Sequence, residues 1–80
     1  MSVRDTLADM AALAARLEAE GAEIIGAGIS MVTGPRLHLS HHDLPPSIEE
    51  RGAPLDRWRH GGYTEYGYTD GGVSVFWMEG

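Results

Sequence analysis

The apolar residues of this chain repeat with one period before residue 22 and another after it, and that switch confines it to a helix followed by strands. Val3, Leu7, Met10, Ala14 and Leu17 follow the four-three-four-three spacing of one helical face, and Leu13 widens the stripe. Ser2 stands where a side-chain oxygen can cap the first turn. Asp5, three residues on, completes a variant of the capping box and meets the N-terminal dipole, and Gly21 suits the left-handed position just past the end. Arg4, Asp9, Arg16, Glu18 and Glu20 occupy the remaining sides. The stripe is too short for a coiled-coil seam, so it predicts a helix laid on the chain's own sheet.

From Glu23 the period becomes two. Residues 23–32 carry Ile24, Ile25, Ile29, Met31 and Val32, a strand-forming set, with Gly26 and Gly28 predicting a bulge or a close backbone approach. Thr33, Gly34 and Pro35 predict a turn. Leu37 and Leu39 then alternate with Arg36, His38 and Ser40, the pattern of a strand buried on one side. Residues 41–62 are irregular. Pro45, Pro46 and Pro54 interrupt them, Ser47 with Glu50 predicts a capped helical turn around Ile48, and Leu44, Ile48, Leu55 and Trp58 are apolar anchors. Leu55 to Arg59 reads equally as a short strand or another turn.

The last segment is the clearest hairpin. Tyr63–Thr69 and Gly72–Met78 flank Asp70-Gly71, a dipeptide suited to a type I′ turn. That register pairs Tyr68 with Val73, Tyr66 with Val75 and Thr64 with Trp77, leaving Tyr63, Glu65, Gly67, Ser74, Phe76 and Met78 on the opposite face. The sequence thus predicts a single α+β domain over 1–80, its N-terminal helix packed on one face of an antiparallel sheet of about four strands. One helix covers one face. The other is expected to meet solvent, a dimer mate or a partner.

Charge narrows the partner. Twelve acids stand against six arginines, with no lysine, for a formal charge of −6, which argues against direct binding to nucleic acid and favours a partner with a basic surface. The absence of cysteine excludes disulfides and thiolate zinc sites and fits a cytoplasmic protein. No apolar run is long enough to span a membrane.

The residues that could carry chemistry form one cluster, His38, His41, His42 and Asp43, whose imidazoles and carboxylate suit a divalent metal in a small hydrolase or nuclease. Adjacent His41 and His42, however, would point to opposite sides of an extended segment. A ββα-metal nuclease reading, with His41, His42, Leu44 and Pro45 as its opening, lacks the downstream asparagine and would need His60 as the last ligand. Ser40 beside His41 does not make a triad, and Glu49 and Glu50 read as solvated charge. Gly61-Gly62 and Gly71-Gly72 lack the lysine of a phosphate loop. The expectation is therefore a binding protein without enzymatic activity or cofactor.

A small acidic chain with a capped helix, then hairpins ending in an aromatic-rich one around Asp70-Gly71, with Gly62-Tyr63-Thr64 as a local echo, resembles the short proteins of phages and prophages, and among them the anti-CRISPR inhibitors. These proteins share no common motif. The resemblance implies stoichiometric inhibition of a CRISPR–Cas effector in the bacterial host cytoplasm, with acidic side chains acting as a DNA mimic in the basic channel or a patch blocking a Cas subunit. The residues expected to bind the partner are Asp43, Glu49, Glu50, Asp56, Tyr63, Glu65 and Phe76, with Glu18, Glu20 and Glu23 a second acidic group at the helix end. A phage structural or assembly subunit, dimeric through the open sheet face, is the other non-enzymatic reading.

Overall fold

The computed structural model describes residues 2–60 and 62–79, and for 55–60 the backbone only. Helix α1 spans Val3–Glu20. The Ser2 side chain accepts the Asp5 N–H at 3.1 Å, and Gly21 closes the helix at φ 106°, so both ends form as the sequence predicts. Met10, Leu13 and Leu17 are buried, whereas Val3 and Leu7, at the start of the same stripe, remain 65% and 52% exposed. The helix seats on the sheet only from Met10 onward.

Five strands follow: β1 Ile24–Ser30, β2 Gly34–Leu39, β3 Ala53–His60, β4 Tyr63–Asp70 and β5 Val73–Glu79. Their order across the sheet is β1-β2-β5-β4-β3. The undecided Leu55–Arg59 segment thus lies within an edge strand. All neighbours are antiparallel except β2 and β5, which run parallel with Leu37 beside Val75. After β2 the chain crosses by a short helix, α2 (Pro46–Glu49), to the far edge, and the β3-β4-β5 meander returns β5 to β2. The helix on one face of a mostly antiparallel sheet is the α+β architecture that the change of period predicts, with one more strand and one parallel seam.

Two local readings are corrected. The β1–β2 turn is Met31–Thr33, with Gly34 and Pro35 already in β2. In the last hairpin Tyr66 pairs with Trp77 and Tyr68 with Val75, while Asp70 faces Val73 and the loop is Gly71-Gly72. Both loop glycines have positive φ, 56° and 83°, and glycine accepts that geometry without the steric penalty that Asp70 would bear. The expected register is displaced by two residues, which leaves every side chain on its expected face because strand side chains alternate with period two.

The core lies between α1 and the sheet. Leu37 and Leu39 of β2 and Val73, Val75 and Trp77 of β5 meet Met10, Leu13 and Leu17, while Ala22 and Ile48 close one end. Trp77 stacks with Tyr66 and meets Tyr68 edge-on, both at 6.4 Å between ring centroids. In β1 a bulge after Ile24 resets the phase, so Ile24, Ala27 and Ile29 face the partners Leu39, Leu37 and Pro35 while Gly26 and Gly28 oppose His38 and Arg36. Among the described residues no helix is long and apolar enough to cross a membrane.

A candidate acidic docking surface

Residues 40–52 form the end of the molecule where the charges gather. Ser40 donates its N–H to the Glu23 carbonyl at 2.9 Å, and its side-chain oxygen accepts the His42 N–H at 3.2 Å. This engages the Ser40 hydroxyl in turn formation. Asp43 then takes φ 56°, a left-handed conformation that aspartate tolerates better than most residues. The turn brings the His41 and His42 rings together at 4.0 Å between centroids, tilted by 37°, instead of to opposite sides of an extended strand.

Ile48, fully buried, anchors α2 to the core. The expected Ser47–Glu50 cap is absent: Pro45 occupies the N-cap and makes no side-chain cap bond. Ser47 instead donates its hydroxyl to Glu20 at 3.2 Å, and the Arg51 guanidinium reaches the same carboxylate at 3.1 Å. These two contacts fasten α2 to the last turn of α1. Glu18, Glu20 and Glu23 on one side and Asp43, Glu49 and Glu50 on the other, read from the sequence as two groups, therefore share one end of the fold, and all six are exposed. Arg51 is the one cation paired to them among the described residues. Of the remaining described arginines, Arg16 lies 3.8 Å from Asp70 and Arg36 lies 3.5 Å from Glu65.

This acidic pole carries a stability cost. Glu18 and Glu20 sit in the last turn of α1, at the negative end of its dipole, with no basic residue in that turn. Glu20 is compensated by Ser47 and Arg51. Glu18 has no such contact among the described residues, so local stability does not account for its charge.

The other expected binding residues divide between locations. Tyr63 is 55% exposed and lines, with Ile25, His38, His41, His42 and Met78, a hollow of about 340 Å³ that adjoins the Asp43 turn. Glu65 is only 3% exposed, its carboxylate turned toward Arg36, so it offers no charge at the surface. Phe76 is half-buried: the Arg36 guanidinium carbon lies 4.0 Å from its ring centre and the His38 ring stacks on it at 4.5 Å. Burial and the Arg36 cation lower the His38 pKa below its ordinary value, with Glu65 opposing. The side chains of Leu55, Asp56, Trp58 and His60, and residue Gly61, lie outside the described residues.

Among the described residues no three histidine, aspartate or glutamate side chains converge on a common point for a metal ion. His38 is held against Phe76 and His41 and His42 lie ring to ring in the turn, so that all three line the same hollow without converging with a carboxylate on one point. No family model, no curated protein and no solved structure matches the chain. The functional reading therefore rests on the surface itself.

Proposed function

We propose that the protein works by binding another protein through its acidic pole, and that this partner is a subunit of a CRISPR effector complex whose DNA-binding channel is thereby blocked. The observation that supports this reading is the joining of two acidic groups, distant in sequence, by the docking of α2 on α1. Carboxylates gathered on one exposed surface compete with phosphates for arginine and lysine clusters, and opposite charge accelerates encounter. Tyr63 beside the pole adds an exposed aromatic ring, a side chain favoured as an interface anchor. The mechanism is occupancy: inhibitor and nucleic acid cannot hold the same cations together. The site of action is the cytoplasm of a bacterial host.

The test is capture of purified effector complexes on the immobilised protein at physiological salt, followed by target-DNA binding in its presence. One-to-one capture with loss of DNA binding is expected. Failure to capture any effector type would remove the CRISPR reading, and capture that leaves DNA binding intact would remove the occupancy mechanism.

A further inference from the structure

The two edges of the sheet differ in sequence. β3, one edge, carries Pro54, Asp56, Arg57 and Arg59 in its sequence, residues that discourage another strand from adding on. β1, the other edge, reads Ile-Ile-Gly-Ala-Gly-Ile-Ser, with neither a charge nor a proline. Ile25 and Ile29 are 55% and 44% exposed, and Met31 and Val32 just beyond them are more exposed still. The one protective device on β1 is the bulge near its start. Such an edge is a template for a further strand.

Its sequence specifies which strand. Ile25-Gly26-Ala27-Gly28-Ile29 reads the same in both directions about Ala27, and Ala27 is also the midpoint of β1, Ile24–Ser30. We propose that two copies of the chain pair through β1, antiparallel about a two-fold axis at Ala27, joining two five-stranded sheets into one. In that register Ala27 faces its own counterpart and each Gly26 a Gly28, while the bulge after Ile24 takes Ile24 and Ile25 out of the regular pairing. β1 contains no acid, so no acid meets an acid within the paired strands although each chain carries a net charge of −6. The contact is isologous and uses the edge fully, which closes the assembly at two.

The glycines agree with this. A Cβ on Gly28 would meet nothing within 4 Å, one on Gly26 would make only ordinary contact with His38, and neither glycine has positive φ. Among the described residues nothing requires glycine at either place, and each weakens a lone strand. A second strand on the open side supplies hydrogen bonds that an isolated edge leaves to water, and a chain of this size gains from burying apolar surface against a copy.

Because the chain contains no cysteine, Ala27→Cys introduces a single thiol at the two-fold axis. Directly opposed residues of an antiparallel pair lie about 4.5–5.5 Å apart at Cα, within disulfide range. Sedimentation of the full chain at tens of micromolar should give twice the mass of one chain. Ala27→Cys should cross-link under mild oxidation, whereas a cysteine at exposed Thr69 should not. Ala27 is exposed, so Ala27→Asp should keep the circular dichroism of the parent while weakening the dimer about tenfold or more, through two opposed carboxylates. A monomer at every concentration, open-ended association, or a dimer that neither cross-links through Ala27→Cys nor responds to a folded Ala27→Asp would overturn the proposal.

Discussion

His38 shows how much a side chain's neighbours matter. On the face of the sheet away from α1 its ring stacks on Phe76, where burial and the Arg36 cation favour the neutral form and Glu65 offsets them in part. With a folded pKa below the unfolded value, the unfolded chain binds more protons in the interval between the two. Stability should therefore be level above about pH 6.5 and fall as the pH drops from there through the folded value. Denaturant midpoints between pH 7.5 and 5 should show this fall, and His38→Gln should flatten it. The Arg36–Glu65 pair belongs to the same scale. Arg36→Leu removes the counter-charge from a carboxylate 3% exposed and should cost about 3 kcal/mol in urea unfolding, most of it regained when Glu65→Leu is added. The sequence places Glu65 and Phe76 together on this face but gives no sign that Arg36 and His38 lie over Phe76. That neighbourhood depends on the parallel β2–β5 pairing, which no local pattern encodes.

At the level of elements, the capped helix and the alternating strands are legible because their signals are local: Ser2 and Gly21 end α1, and period two assigns faces even where the hairpin register is displaced. What is not legible depends on contacts between distant segments. Val3 and Leu7 satisfy the helical period as well as Leu17 does, yet the helix passes beyond the core before reaching them. α2 lacks the expected side-chain cap because Ser47 bonds across to Glu20. Gly52 carries no signal in the sequence, but in the fold a Cβ there would overlap the buried Trp77 ring. Gly52→Ala should destabilise the protein by about 1–3 kcal/mol, seen as a lower thermal midpoint, because the buried ring must shift to admit the methyl group. Glu18 should behave in the opposite way. Replacing it with Gln relieves repulsion at the helix C-terminus and should raise stability by about 0.3–1 kcal/mol.

For the whole molecule, these local costs converge on one end. Both acidic groups are visible in the sequence, while their union depends on α2 folding back against α1, which only the Ser47 and Arg51 contacts make plain. A charged surface that stability does not demand is the central point of the functional account. Neutralising Glu18, Glu23, Glu49 and Glu50 to Gln leaves the Glu20 contacts in place and all four sites exposed, so the fold should be at least as stable as the parent. The decisive measurement compares effector binding by the parent and this quadruple variant across a range of salt concentrations. The parent should bind and weaken steeply with salt, and the variant, equally well folded, should bind at least about tenfold more weakly with a shallower salt dependence. Equal binding by the two proteins, or none by the parent, would contradict the functional account.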